Sequence, residues 1–345
     1  MLRIGILGCA NIARQFARDV APCRSVRIVA VASRSAANAL TFAAAHAIGR
    51  HHGSYAGLLA DAKVDAIYIP LPNSLHAPWA IHAAQAGKHV LCEKPLALGL
   101  GEAQAMFDAA RANRVMLLEA YPYYFQPQTG AMLELLHSGA IGTVKSVHAN
   151  FCFTLANPVN NIRLNPALGG GALLDAGSYP LSLIRLAMGI APQHVHANAA
   201  WAESGVDISM AATLHYADGR RAQLSCAMDT ANHRRATIVG TLGTIDTEYL
   251  NHTSTQAGGH PYGYLPSQLR VRRGTANTIP FEGVLSNVGS GFRFAAEAFA
   301  KVVSERDFAA IGRAAQASLD NAATLQALAA SARLGRAVEV AGRQG

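Results

Sequence analysis

The chain of 345 residues is 51% hydrophobic and 14% charged. That composition excludes a small domain stapled by disulfides or metal, and it excludes a disordered chain, which pairs few apolar residues with a high net charge. Apolar runs such as 64–71 are strand-length and stop well short of the roughly 18 residues a spanning helix needs, so a soluble protein with no membrane partner is expected.

In chain order, β-branched runs at 2–7, 26–32, 66–69, 89–91 and 115–118 predict strands. Ala-rich stretches at 12–20, 36–47, 77–86 and 102–113 predict helices between them. Alternation of this kind predicts a parallel sheet covered on both faces. Further on, runs at 143–154, 194–201, 210–216, 221–228, 235–239 and 244–249 follow one another with turn signals such as Ala217-Asp218-Gly219, which predicts a mostly antiparallel sheet. Helices are expected at 292–303 and 314–334, and 253–268 reads as a long loop. The expected fold class is therefore α/β: a doubly wound parallel sheet in residues 1–121 that binds a dinucleotide, then an α/β domain in 122–345 with a large, open, mostly antiparallel sheet.

The net charge of +8, from 29 basic and 21 acidic residues, favours anionic ligands. It is scattered in pairs such as Arg220-Arg221, Arg234-Arg235 and Arg272-Arg273, with no basic stripe interleaved with aromatics, so nucleic acid is not an expected partner. Cys9, Cys23, Cys92, Cys152 and Cys226 are odd in number and lack C-x-x-C spacing, the usage of reduced thiols in a cytoplasmic protein. Ile6-Leu7-Gly8-Cys9 looks like a lipoprotein cleavage box, but too little apolar sequence precedes it for a secretory signal, and it reads as the first strand. His46, His51 and His52 cluster in an expected helix–loop region without a carboxylate or thiol partner nearby, so no metal site is expected. No G-x-S-x-G hydrolase elbow occurs.

Between the first strand and the first helix lies Gly8-Cys9-Ala10-Asn11-Ile12-Ala13. A dinucleotide turn uses its first glycine for a tight bend and sets the pyrophosphate against helix-terminal N–H groups. Alone a G-x-A-x-x-A match is weak; its place at the head of a βαβ series strengthens it. NAD sites put an acid about 20 residues past this turn to hold the ribose hydroxyls. Here no Asp or Glu occurs between Asp19 and Asp61, and the second strand ends in Ser33-Arg34, a hydroxyl and a guanidinium suited to a 2′-phosphate, so NADP(H) is expected in preference to NAD(H). An ordinary solvated arginine is the alternative. Two further motifs end strands, where open α/β sheets bind ligands: Pro70-Leu71-Pro72-Asn73-Ser74-Leu75-His76, and Cys92-Glu93-Lys94-Pro95.

The strand-end Pro-x-Pro-Asn-x-x-His and Glu-Lys-Pro motifs, together with Gly169-Gly170-Gly171-Ala172-Leu173-Leu174-Asp175-Ala176-Gly177-Ser178-Tyr179 and Val239-Gly240-Thr241-Leu242-Gly243-Thr244-Ile245, resemble the Gfo/Idh/MocA family of NAD(P)-dependent oxidoreductases. The resemblance runs along nearly the whole chain and is nearest to the branch of dimeric dihydrodiol dehydrogenases and NADP-dependent xylose dehydrogenases, where tyrosine replaces the more common histidine of the last long motif. It implies a Rossmann domain, and a second domain whose open sheet covers the active site on one face and mediates a homodimer or homotetramer on the other. It also implies that Lys94 lies by the nicotinamide and substrate hydroxyl, that Tyr179 gives or takes the proton, and that Asp175 orients the site. Glu93 and the turn of Pro70, Leu71, Pro72 and Asn73 would line the nicotinamide ribose, with His76 close behind.

The chemistry of these side chains agrees with such roles. Asp175 and Tyr179 share a face if their segment is helical. Tyrosine's reference pKa near 10 makes it a poor base without a nearby cation, which Lys94 could supply. The plain alternative is that Tyr179 packs beneath a kink at Pro180 and Asp175 caps a helix. Tyr121, Tyr123 and Arg163 are candidate substrate contacts. The branch's arginine and histidine are replaced at Tyr124 and Gln126, so the aromatics Tyr121-Pro122-Tyr123-Tyr124-Phe125 offer either an apolar platform or, more commonly for such a cluster, core. The reading is a hydride transfer between nicotinamide and a secondary alcohol or ketone, or a sugar hemiacetal or lactone, on a carbohydrate or cyclic diol. The alternative is a non-catalytic dinucleotide sensor of the same fold.

Overall fold

The computed structural model describes residues 1–248, 268–287 and 289–342; all but Gln268 of the loop expected at 253–268 lies outside them. The chain divides into two units. One is built from Met1–Ala97, Gly101–Pro122 and Ser290–Ser318, the other from Leu98–Leu100, Tyr123–Gly289 and Leu319–Gly345.

The first unit alternates β1 (Leu2–Leu7), α1 (Asn11–Val20), β2 (Val26–Ala32), α2 (Ala36–Ala45), β3 (Arg50–His52), α3 (Tyr55–Leu59), β4 (Ala66–Ile69), α4 (His76–Gln85), β5 (His89–Glu93), α5 (Leu100–Ala112) and β6 (Leu117–Ala120). Its six strands are all parallel, in the order β3-β2-β1-β4-β5-β6. The inner strands read as unbroken apolar runs because helices cover both faces. Phe16 of α1 is buried and stacks on Tyr68 of β4 at 3.8 Å between ring centroids. The helix Gly291–Glu305 joins this layer from far along the chain: Phe292 meets Phe16 edge-on at 5.8 Å, and the Ser290 hydroxyl donates to Asp19 at 2.7 Å. Strand order reverses between β1 and β4, and the crevice at the carboxyl ends there is where open α/β sheets take ligands.

One expectation is corrected here. His51 and His52 lie not in a helix–loop stretch but on β3, a three-residue edge strand beside β2. The His52 ring sits 3.0 Å from the buried Asp61 carboxylate, which also accepts from Arg50 at 2.7 Å. Too short for a hydrophobic period, this strand is held by its sheet neighbour and by that carboxylate.

The second unit contains α6 (Pro127–His137), β7 (Val144–Thr154), α7 (Ser178–Met188), β8 (His194–Trp201), β9 (Asp207–His215), β10 (Arg221–Ala227), β11 (Asp229–Gly240), β12 (Gly243–Thr247), β13 (Leu269–Arg273), β14 (Glu282–Gly283) and β15 (Val338–Glu339). They form a nine-stranded sheet in the order β14-β13-β12-β11-β7-β10-β9-β8-β15, parallel at β7–β10 and antiparallel at every other pairing. Val147, Ala149 and Phe151 of β7 are buried while His148 and Asn150 alternate with them on the open side, the pattern of a sheet with one packed face. On that packed side α7 is buried along most of its length, and Arg185 ties it to Asp320 at 2.6 Å. β13 was not expected from its Arg-rich sequence. It forms because Leu269 and Val271 turn inward while Arg270 pairs with Asp246 and Arg272 stands 4.3 Å over the Phe281 ring.

Candidate functional site

In the first unit, the turn after β1 is built for close approach. Gly8 holds φ +122°, and a Cβ there would stand 2.9 Å from the Leu71 side chain. The neighbouring β4 turn, with Leu71 and Pro72, thus closes over the glycine. α1 begins at Asn11 with Ala10 as its N-cap, no capping side chain and no acid in its first turn. Its first N–H groups therefore face outward with the positive end of the helix dipole, a fit for a pyrophosphate. Cys9 is half-buried; burial pushes its thiol up, opposed by Arg14 and by the Ser33 hydroxyl.

At the end of β2, the Ser33 hydroxyl accepts from the Ser35 amide at 3.2 Å, and Arg34 is exposed. The phenol of Tyr55, the first residue of α3, lies beside Arg34 and 3.8 Å from where a Gly8 Cβ would be. Trp79 props the Tyr55 ring edge-on at 5.0 Å. Burial raises the Tyr55 hydroxyl's pKa against the pull of the guanidinium. Sequence reasoning passed over Tyr55; the fold brings it to Arg34 from the next βα crossing.

The Glu93-Lys94-Pro95 segment is pinned on both sides of Lys94. The Tyr68 hydroxyl donates to the buried Glu93 carboxylate at 2.6 Å. His76 is 1% exposed, and its two ring nitrogens sit 2.8 Å from the Pro95 carbonyl and 2.9 Å from the Leu71 carbonyl. Burial lowers its pKa, against the raising effect of those carbonyls. A neutral imidazole donates to one of them, so His76 ties the two motifs together from inside the protein. The Lys94–Pro95 peptide is cis, and Lys94 itself is half-buried.

Glu119 also reaches this segment, and no motif pointed to it. It is buried at the end of β6, accepts from the Leu96 amide at 2.9 Å and from the Ser318 hydroxyl at 2.6 Å, and has Tyr121 and Lys94 nearby. Burial pushes its carboxyl up to about 7, against all four of these neighbours.

In the second unit, the three successive glycines wrap a bend. The Gly171 amide donates to the Arg163 carbonyl at 2.8 Å and Gly170 to Asn165 at 3.0 Å. A Cβ on Gly170 would stand 2.5 Å from the Arg163 carbonyl oxygen, and one on Gly171, at φ +116°, would collide with Asp207. Asp207 in turn accepts from the Leu173 amide at 2.6 Å and anchors the π-helical turn Leu173–Gly177, a distortion frequent at functional sites. From that turn Asp175 accepts from Arg163 Nε at 2.6 Å, and the guanidinium faces Tyr179 as well, so three residues separate in sequence meet. The arginine's pKa is raised chiefly by the Asp175 charge. Tyr179 stacks on Phe151 at 4.8 Å with planes 15° apart.

Of the aromatic run, Tyr121 and Tyr123 are buried and Tyr124 is exposed. The Tyr123 hydroxyl lies 2.9 Å from Ser182, and its ring centroid is 6.3 Å from that of Tyr179. Tyr123 is thus used as core packing beneath Tyr179 in the second unit. Among the described residues no group of three or more His, Cys, Asp or Glu side chains is placed to hold a metal ion, and all five cysteines are free.

A model of the oxidoreductase family with an NAD-binding Rossmann fold matches residues 2–121, and a model of the GFO/IDH/MocA C-terminal domain matches residues 130–246. The chain is 35% identical to D-xylose 1-dehydrogenase (NADP(+)) 2 of Haloferax volcanii over 341 residues, 98% of this chain and 100% of that one. It is 37% identical to trans-1,2-dihydrobenzene-1,2-diol dehydrogenase of Danio rerio over 247 residues, 71% of this chain and 73% of that one. A 3-ketoreductase from Actinomadura kijaniata, solved in complex with NADP and TDP-benzene, shares 29% identity and a TM-score of 0.83 over 96% of this chain and 97% of that one. With the parallel sheet and strands β7 to β11 of the second sheet matched by the two models in chain order, and a relative aligned along almost the whole sequence, the protein belongs to the GFO/IDH/MocA family of oxidoreductases.

Proposed function

We propose that this oxidoreductase uses NADP(H) to interconvert a secondary alcohol and a ketone, or a sugar hemiacetal and a lactone, on a carbohydrate or cyclic diol. The observation that carries the proposal is the end of β2 beside the Gly8 turn. It presents a hydroxyl and an exposed guanidinium where an NAD site keeps a carboxylate. The relatives named above, an NADP-linked xylose dehydrogenase and a diol dehydrogenase, support the substrate class. Gly8, Cys9, Ala10, Asn11 and Ile12 would hold the pyrophosphate, Ser33 and Arg34 the 2′-phosphate, and the Pro70-to-Asn73 turn with Glu93 the nicotinamide side.

When bound, the dinucleotide supplies or accepts the hydride. The remaining work falls to the chain's own side chains. Tyr179 exchanges a proton with the substrate oxygen, general acid–base catalysis worth roughly 10²–10⁴-fold. A phenol with a reference pKa near 10 needs cations to act near neutrality, and Arg163, held by Asp175, faces it. Lys94 is assigned to the substrate hydroxyl. Arg163 is kept as a substrate contact of lower rank, since its first partner is Asp175.

The test is NADPH fluorescence on binding, then absorbance change with a panel of aldoses, keto sugars and trans-diols. Tyr179→Phe and Lys94→Ala should each cut turnover about a hundredfold or more while leaving NADPH binding intact. Binding without turnover across the panel would establish the dinucleotide sensor instead.

Self-association is assigned to the open face of the nine-stranded sheet, where a shallow cavity of about 380 Å³ lies between His148, His196, Ala211 and Ser225. Ala211→Arg should then lower the mass measured by sedimentation. No helix among the described residues is long and apolar enough to cross a membrane, and the free cysteines support a cytoplasmic location.

A further inference from the structure

We propose that Glu119 is the positioning residue for Lys94: through the Leu96 amide it fixes the turn from which the lysine projects. The inference rests on the reading of Lys94 as the residue at the substrate hydroxyl. Three buried side chains grip the segment on either side of that lysine. Tyr68 holds Glu93 at 2.6 Å, His76 sits 2.8 Å from the Pro95 carbonyl, and Glu119 accepts from Leu96 at 2.9 Å. Of these, Glu119 is the one that comes from the neighbouring strand β6, across the pair Cys92↔Glu119, and is itself braced from outside the sheet by Ser318 at 2.6 Å.

The hold depends on charge. A carboxylate accepting from an amide and a hydroxyl makes charge-assisted bonds about twice as strong as neutral ones. Once it takes a proton, the Ser318 hydroxyl can turn round and accept, while the Leu96 amide keeps a weaker, neutral acceptor. The titratable groups facing Glu119 are Cys92 and Lys94 on or beside β5 and Tyr121 beyond β6; the helix Phe308–Leu334 contributes the neutral Ser318. Burial opposes the charged form, and Ser318, the Leu96 amide, Tyr121 and, least of the four, Lys94 favour it, so the carboxyl titrates at about 7. Turnover should fall as pH drops through that value, because the turn carrying Lys94 loosens.

The experiment compares wild type, Glu119→Gln and Ser318→Ala in kcat and in kcat/KM from about two units below to two units above that pKa, with infrared difference spectra of the protonated carboxyl in the same buffers. Gln keeps the shape and an acceptor for Leu96 but cannot titrate. It should flatten the acidic limb, remove the carboxyl band, lower kcat about tenfold at high pH, and leave NADPH affinity unchanged; an ångström of misplacement costs up to about a hundredfold. Removing the Ser318 hydroxyl, which lowers the pKa, should move both limb and band to higher pH. The proposal is overturned if all three proteins share one acidic limb, or if the carboxyl band does not titrate near neutrality. Should Lys94→Ala retain wild-type turnover, it is the reading of Lys94 that fails, whatever Glu119 does.

Discussion

The buried carboxyl of Glu119 makes a claim on stability as well as on rate. Its pKa lies at about 7, against an ordinary glutamate value of 4.5. The folded protein therefore holds this proton more tightly than the unfolded chain. By linkage the group's contribution is complete below 4.5 and is lost as pH rises to 7 and beyond. At about 1.4 kcal/mol for each unit of pKa, keeping the carboxylate charged inside the first unit costs about 3 kcal/mol at alkaline pH relative to acid. Glu119→Gln removes that slope while preserving volume and the acceptor for Leu96. Denaturant midpoints of the two proteins, measured at steps of pH across this window, should differ least at acid pH and shift steadily in favour of the variant as pH rises. His76 and His89, whose pKa values burial lowers, titrate in both proteins and cancel in the comparison. Asp61, held at about 2 by Arg50, the Lys63 amide and His52 against the cost of its burial, stays charged throughout the window. Wild-type and variant midpoints that run parallel between 4.5 and above 7 would refute the argument.

Arg34→Ala should weaken NADP(H) binding about tenfold or more, the value of a charge-assisted phosphate contact, with NAD(H) affinity unchanged in the same fluorescence titration. Gly170→Ala forces a Cβ to within 2.5 Å of the Arg163 carbonyl oxygen; it should cost about 1–3 kcal/mol in thermal unfolding and lower turnover with it, because the displaced bend carries the Arg163–Asp175 pair. Phe16→Ala removes a ring stacked at 3.8 Å on Tyr68 and edge-on at 5.8 Å to Phe292; a loss of about 3–5 kcal/mol is expected, read from the unfolding transition of the first unit.

How far these residues could be seen in advance follows from the range of the forces that hold them. β1, β2 and β4 match their expected limits because unbroken apolar runs between helices carry their own signature. β3 and β13 do not: one has three residues and the other alternates arginine with apolar side chains, and both exist because a neighbouring strand supplies their hydrogen bonds. β11 likewise begins at Asp229, well before the apolar stretch that marks it in sequence, since its exposed first half pairs with the end of β7.

The same division separates the site residues. Gly8, Lys94, Asp175 and Tyr179 stand in short motifs whose spacing is local, and a family resemblance reaches them. Glu119 stands in an apolar strand with partners 23 and 199 residues away, and Tyr55 meets Arg34 from the following crossing of the sheet. What marks Glu119 in the sequence is only the oddity of an acid within Leu117-Leu118-Glu119-Ala120, all four of them buried. An ionisable group is not left in such a place by packing alone, because its burial costs more than an apolar residue of the same volume would. Its position beside the Lys94 turn is where that cost can be offset, so the residue least visible in the sequence is the one whose presence most requires a chemical reason.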